Sequence, residues 1–147
     1  MKMIVLSINH DYKYLDEDYI FVSNLRRYRE LDAKYYPKCI ITSNIQSQSA
    51  YLTVDYNEFL IECEEVSDNA GLMAIKFLIK NEVEKIYIAG MDGYSYDDSE
   101  NYSSGELEMG LKKYMFDSIN YGMAKSLKEL SVKVKLEFVT SSKYVVD

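Results

Sequence analysis

Five short runs of apolar residues recur along the chain, and most of them are continuous rather than alternating with polar positions. Continuous apolar runs of about four to eight residues are typical of strands that are covered on both faces, as in a parallel sheet between two layers of helices. The strands predicted from these runs comprise residues 3–8, 19–23, 38–42, 85–89 and 133–140.

The segments between these strands have the length and the pattern of crossover helices. Residues 24–34 carry Leu25, Tyr28 and Leu31 at helical spacing. Residues 68–81 are apolar on nearly every side and begin at Asp68, which predicts a buried helix with Asp68 as its N-cap. Residues 50–62 are predicted to form extended edge structure or a small hairpin.

A third helix is predicted after a capping box formed by Ser103 and Glu106. It has a length of about six turns, and one face carries an apolar stripe of Leu107, Leu111, Met115, Ile119, Met123, Leu127 and Leu130. Together the elements predict one domain over residues 1–147. The expected fold class is α/β, a Rossmann-like three-layer α/β/α domain with a mostly parallel sheet of about five strands.

Composition and charge narrow the classes of function. The 147 residues include 17 Lys+Arg and 24 Asp+Glu, for a net charge of −7, whereas nucleic-acid binding requires a basic face. No stretch reaches the roughly 18 apolar residues of a membrane span, so we expect a cytoplasmic protein with neither a nucleic acid nor a membrane as partner. Cys39 and Cys63 lie in apolar runs outside any metal or redox motif, which predicts buried, reduced thiols.

Small polar residues follow the predicted strands and form the candidate ligand site. In open α/β sheets, ligands bind outside the carboxyl ends of the strands, and the start of a following helix adds N–H groups that suit an anion. The same residue types also cap helices and turns, so a purely structural role is the alternative. The candidate ligand-binding residues are Asn9, His10, Ser23, Asn24, Arg27, Ser43, Asn44, Asn69, Gly90, Asp92 and Tyr94.

Two of these candidates have specific alternatives. Arg27 could bind a carboxylate or phosphate, or could lie on a solvated helix face and pair with Glu30 or Asp32. His10 could be a general base, but no nucleophile partner is evident, which favours an ordinary loop histidine.

The loop over residues 90–105 carries Asp97, Asp98 and Glu100, without EF-hand spacing, and is predicted to be a solvated acidic loop. Neither a metal nor a cofactor is expected.

The blocks LSINHD, DYIFVSNLRRYREL, IITSN, DNAGLMAIKFLIKNEVEKIYIAGMDGY and SLKELSVKVKLEFVTSSKY resemble the C-terminal domain that follows the aldolase barrel in a group of bacterial proteins. These are the 4-hydroxy-2-oxovalerate aldolase-like or HMG-CoA lyase-like proteins of the pyruvate carboxyltransferase superfamily, often encoded with surface-polysaccharide genes. The resemblance implies a fragment or stand-alone accessory domain whose partner is an aldolase barrel. Any lyase activity would then belong to the barrel rather than to this chain.

The stretch EKIYIAGMDGY also has a more remote similarity to bacterial sialyltransferases and to MptE-like pterin diphosphokinases. That similarity implies a nucleotide or sugar pocket at Gly90, Asp92 and Tyr94, with Asn69 at the preceding helix start. The glycine-rich loop G-x-G-P-S and a histidine after Asp92, both typical of the family, are absent. The sequence therefore favours a ligand-binding domain without catalysis, and a nucleotide-sugar-dependent glycosyltransferase, or another nucleotide-binding transferase, is the alternative.

Overall fold

The computed structural model describes residues 2–93 and 115–144, and the chain falls into two units. The first unit comprises Met1–Leu60 and Asp68–Ala74, and the second comprises Ile61–Ser67 and Ile75–Asp147. Predictions for residues 94–114, including the capping box at Ser103 and Glu106 and the acidic loop, lie outside the described residues.

Four parallel strands form the sheet of the first unit. They are β1 (Leu6–Ile8), β2 (Tyr19–Val22), β3 (Cys39–Thr42) and β4 (Leu52–Val54), and their spatial order follows the chain, β1-β2-β3-β4. All four residues of β3 are buried, as the continuous apolar pattern predicts for a central strand of a parallel sheet. Residues 52–54 form neither a hairpin nor an antiparallel pair, because β4 pairs in parallel with β3.

The apolar core of the first unit lies on one face of β2 and β3. Its buried members are Ile20, Val22, Tyr28, Leu31, Cys39, Ile41 and Ile45. Tyr28 comes from helix α1 (Leu25–Glu30), which connects β2 to β3 together with the 3₁₀ segment Ala33–Lys38. Tyr28 and Tyr36 stack with ring centroids 4.3 Å apart and so join the two segments.

Helix α1 is shorter than the pattern over residues 24–34 predicts. Leu31 adopts an extended conformation, and the Asp32 side chain then accepts a hydrogen bond from the Lys34 N–H at 3.0 Å, which starts the 3₁₀ segment. Tyr28 and Leu31 are buried as expected, whereas Leu25 is 38% exposed. Leu25 stands at the first position of the helix and contributes little to the core.

Helix α2 (Ala70–Lys80) confirms the predicted apolar helix but corrects its N-cap. The Asn69 side chain, rather than that of Asp68, accepts a hydrogen bond from the Leu72 N–H at 3.0 Å. Leu72 and Met73, in the part of the helix that belongs to the first unit, are fully buried.

The second unit contains two parallel strands, β5 (Lys85–Ile88) and β6 (Lys135–Phe138), and helix α3 (Phe116–Leu130). Helix α3 buries Phe116, Met123, Leu127 and Leu130, whereas Met115 is exposed, so the predicted stripe is wrong at that position. Near the middle of α3, a Cβ at Gly122 would lie 3.1 Å from Cys63 Sγ, which explains a glycine at that position.

These features confirm a mixed α/β fold with a parallel sheet of four strands and a second sheet of two strands. The strands are shorter than predicted at most ends: residues 3–5 precede β1, and Lys38 belongs to the 3₁₀ segment. Cys39 is buried as predicted, and burial raises the pKa of its thiol to about 11, whereas Cys63 is only half-buried.

The core of the first unit predicts a clear contrast between two isoleucines. Ile41→Ala removes a fully buried side chain from the centre of β3, so the free energy of unfolding should fall by about 2 to 5 kcal/mol. Ile4→Ala makes the same chemical change at a side chain that is 56% exposed, and its cost should stay below about 1 kcal/mol. Urea unfolding of both variants measures the difference, and equal losses would contradict this core assignment.

Candidate functional site

The candidate site is the carboxyl edge of the four-stranded sheet in the first unit. Because all four strands are parallel, the residues that follow β1, β2 and β3 lie at one edge. This edge therefore brings together seven of the predicted residues: Asn9, His10, Ser23, Asn24, Arg27, Ser43 and Asn44.

Several polar side chains at this edge serve the fold itself. Asn24 is the N-cap of α1, and its side chain accepts a hydrogen bond from the Arg27 N–H at 3.2 Å. Asn44 Nδ2 donates to the Ser23 carbonyl at 2.9 Å and so joins the ends of β2 and β3. Ser43 Oγ accepts from the Tyr56 N–H at 2.9 Å. Capping and turn formation account for these three side chains, as the structural alternative predicted.

Two side chains, one in β1 and one directly after it, are different. Ser7 is 4% exposed, and within the described part of the chain neither its Oγ nor the buried Oδ1 of Asn9 has a hydrogen-bond partner. A buried polar atom without a partner costs about 1 to 3 kcal/mol, so native proteins rarely leave two such atoms close together in sequence without a purpose. Both atoms are able to accept a hydrogen bond from a ligand or a water molecule.

The backbone at Asn9 has an unusual conformation. Its φ is +62°, in the left-handed region, while its N–H donates to the Phe21 carbonyl at 2.9 Å. Asparagine tolerates this region better than most residues, and such conformations are concentrated at functional sites. The hydrogen bond to Phe21 fixes the point where the chain leaves β1, and it holds Asn9 beside β2.

Arg27 supplies a buried positive charge near this edge. The residue is 4% exposed, and its Nη1 lies 3.2 Å from Oε2 of the half-exposed Glu30. Burial raises the pKa of Tyr12, and the nearby Arg27 guanidinium partly opposes that rise. Arg27 thus pairs with Glu30, as the structural alternative predicts. Because Arg27 is buried, however, its charge does not lie on a solvated helix face.

His10 and Asn69 have mainly structural surroundings. The His10 ring is half-buried and packs edge-to-face on Tyr12, with ring centroids 5.3 Å apart. Asn69 caps helix α2 through Leu72, so its side-chain oxygen is already engaged. A structural role explains both of these contacts.

Gly90 and Asp92 belong to the second unit, after β5. The Gly90 N–H donates to Thr140 Oγ1 at 2.9 Å, and that hydroxyl in turn donates to Asp92 Oδ1 at 3.1 Å. Gly90 has a φ of +76°, a conformation that favours glycine. Thr140 thereby ties the segment after β5 to the segment after β6. Tyr94, the remaining predicted site residue, lies outside the described residues.

Comparisons with protein-family models, with curated proteins and with solved structures find no match. Each resemblance noted from the sequence therefore stays a prediction. Within residues 2–93 and 115–144, no helix is both long and apolar enough to cross a membrane. The same residues contain no group of three His, Cys, Asp or Glu side chains that could hold a metal ion.

Two buried polar residues, Glu17 and Ser7, are absent from the set of candidates predicted from the sequence. Ser7 is a polar residue within the first apolar run, two residues before Asn9. This spacing was the signal in the sequence that could have placed Ser7 beside Asn9. Glu17 lies two residues before the buried strand β2, and its side chain is wholly buried. Its exposed neighbours Asp16 and Asp18 share its charge, so the local sequence contains no sign of its burial.

The unpartnered hydroxyl of Ser7 leads to a test by stability. Ser7→Ala removes a desolvated hydroxyl that gains no hydrogen bond, so the free energy of unfolding should stay within about 0.5 kcal/mol or rise. The control is Ser47→Ala, which removes the partner of the Tyr28 hydroxyl at 2.7 Å and should cost about 1 kcal/mol. Denaturant titration compares the two variants, and an equal loss for Ser7→Ala would show that its hydroxyl is hydrogen-bonded in the folded chain.

Proposed function

We propose that this chain is a non-catalytic ligand-binding domain whose ligand, a nucleotide or a sugar, binds at the carboxyl ends of β1 and β2. The observation that carries the proposal is the pair of buried, unpartnered oxygens, Ser7 Oγ and Asn9 Oδ1. Hydroxyl and amino groups of a sugar or a nucleotide would donate to these oxygens and remove the cost of leaving them unpaired.

Charge supports the choice of a polar ligand with an anionic group. Arg27 places a guanidinium, 4% exposed, beside the same strand ends in a domain whose net charge is −7. A guanidinium suits phosphate or carboxylate, so an anionic group on the ligand would bind there. The other polar residues of this edge, Asn24, Ser43 and Asn44, would hold the backbone around the ligand rather than contact it.

The wider setting of this domain is also part of the proposal. The sequence resemblance supports an accessory role beside an aldolase barrel of a protein linked to surface-polysaccharide biosynthesis, with any lyase chemistry in the barrel. It equally supports a three-layer Rossmann-like architecture with about five strands. The structural support for that architecture is that every strand pair in the described residues is parallel.

The alternative is a nucleotide-sugar-dependent transferase with its ligand at Gly90 and Asp92. Its support is the exposed carboxylate of Asp92, which Thr140 orients after β5. The Gly90 N–H already donates to Thr140, which leaves that backbone group unavailable to a phosphate. The two proposals differ in the residues that a ligand would need, so one set of variants distinguishes them.

The proposed site predicts which variants lose ligand binding. We expect CMP, UDP, GDP or one of their sugar conjugates to raise the melting temperature of the wild-type chain, with pyruvate and divalent ions as comparisons. A ligand at about one hundred times its Kd adds about 2.7 kcal/mol, or several degrees. Asn9→Gly and Ser7→Ala should each lose most of that shift, because each removes one of the unpartnered oxygens.

The matched control for Asn9→Gly is Glu82→Gly. Glu82 has a φ of +60° and belongs to the second unit, so this variant makes the same backbone change without touching Asn9. Glu82→Gly should keep the full ligand shift. A shift that survives Asn9→Gly but disappears in Asp92→Asn would contradict the proposed site and favour the transferase, and no shift with any nucleotide or sugar would contradict both.

A further inference from the structure

The register of the first sheet assigns Ser7 to the face that helix α1 covers. Ser7 pairs with Ile20 across β1 and β2, and Ile20 pairs with Cys39 across β2 and β3. Residues paired in this way direct their side chains to the same face of a sheet. Ile20 and Cys39 belong to the core cluster that includes Tyr28 of α1, so the buried Ser7 Oγ lies on the α1 face as well.

Helix α1 also supplies the positive charge on this side of the sheet. Its cap, Asn24, holds the first turn, and with it Arg27, at the end of β2. Within residues 2–93 and 115–144, Arg27 is the only basic residue that is buried. Its Nη1 lies 3.2 Å from one carboxylate oxygen of Glu30, and the Arg26 Nε lies 3.8 Å from the other.

The cluster of Arg26, Arg27 and Glu30 matches a ligand group with a single negative charge. Two guanidinium groups and one carboxylate leave a net charge of +1. A phosphate monoester carries about −1.5 to −2 at neutral pH, more than this cluster balances. A carboxylate carries one negative charge, and its two oxygens accept paired hydrogen bonds from a guanidinium.

The backbone of the first unit also disfavours a diphosphate at this edge. Nucleotide diphosphate sites use glycines, which let the backbone approach the phosphates closely. The first glycine of the chain is Gly71, so no glycine follows β1, β2, β3 or β4 before helix α2. The Arg27 N–H, at the start of α1, donates to the Asn24 side chain and is therefore not open to a phosphate.

The remaining polar atoms suit the hydroxyl groups of a sugar. Ser7 Oγ and Asn9 Oδ1 are buried and accept no hydrogen bond from the described residues, whereas a sugar hydroxyl donates one. We propose that the ligand group bound between β1 and α1 is a sugar acid: Arg27 binds its carboxylate, and Ser7 and Asn9 accept from its hydroxyl groups. This inference rests on the proposed function and names the part of the ligand that the site recognises.

Two matched pairs of ligands test this assignment on the full wild-type chain. D-glucuronate and D-glucose differ only in a carboxylate against a hydroxymethyl group, and so do UDP-glucuronate and UDP-glucose. We expect the acid of each pair to bind at least about tenfold more tightly than its counterpart, because only the acid forms charge-assisted hydrogen bonds with Arg27. Calorimetric titration measures the Kd values, and the side-chain amide resonance of Asn9 shows whether the ligand binds at this site.

A pair of arginine variants separates the guanidinium from the net charge. Arg27→Gln should remove the preference for the acids. Arg29→Gln makes the same chemical change at an exposed residue of α1 and should keep the preference. The wild-type comparison of the ligand pairs needs neither variant, so it decides the question even where Arg27→Gln fails to fold.

The results distinguish this inference from the proposed function. Equal binding within both ligand pairs, with a shift of the Asn9 amide, would overturn the sugar acid and leave the ligand site at β1 in place. A preference for the acids that survives Arg27→Gln would overturn the role of Arg27. Binding of none of the four ligands would overturn the sugar acid and the proposed site together.

Discussion

Parallel pairing in the first unit brings the ends of four strands to one edge, where the chain must leave the sheet and satisfy its polar groups locally. The connections are short, and only the one between β2 and β3 contains a helix. Side chains therefore form hydrogen bonds with many of these backbone groups: Asn24 caps α1, Asn44 joins β2 to β3, and Ser43 binds the turn after β4. The buried oxygens of Ser7 and Asn9 are the exception among these polar groups.

The same constraint explains the unusual β1–β2 connection. Ten residues return from the end of β1 to the start of β2 without regular structure, and the connection is held by side chains that include a buried acid. The Asn9 N–H fixes one end to Phe21, and the Asp18 side chain fixes the other to Val5. The proposed ligand site at Asn9 and the buried acid Glu17 thus lie near opposite ends of one connection.

The local pattern of apolar residues was sufficient to predict the strands that form the core. Strands β2 and β3 match their predicted runs closely, because continuous burial leaves few alternatives for such sequences. The spacing of apolar residues did not predict where α1 ends. The helix stops there because the Asp32 side chain accepts a hydrogen bond from the Lys34 N–H, which would otherwise bond within a continuing helix. The choice of Asn69 over Asp68 as the cap of α2 shows the same limit, because both residues suit that position.

The sequence predicted the location of the candidate site, but it did not predict the role of each residue there. Parallel strands with polar residues at their ends pointed to the carboxyl edge. Sequence alone did not separate the asparagines that serve the fold, Asn24 and Asn44, from Asn9, because that distinction depends on which oxygens find partners in three dimensions. The burial of Glu17 was likewise not predictable, because its ion-pair partner Lys38 is distant from it in sequence.

The most direct test of the ligand site is a comparison of three asparagine side-chain amides by NMR during titration with CMP, UDP or a sugar conjugate of either. The account predicts that the side-chain amide resonance of Asn9 shifts, while those of Asn24 and Asn44 keep their positions because the fold already engages them. Saturable shifts confined to residues around Asp92, with Asn9 unchanged, would contradict it.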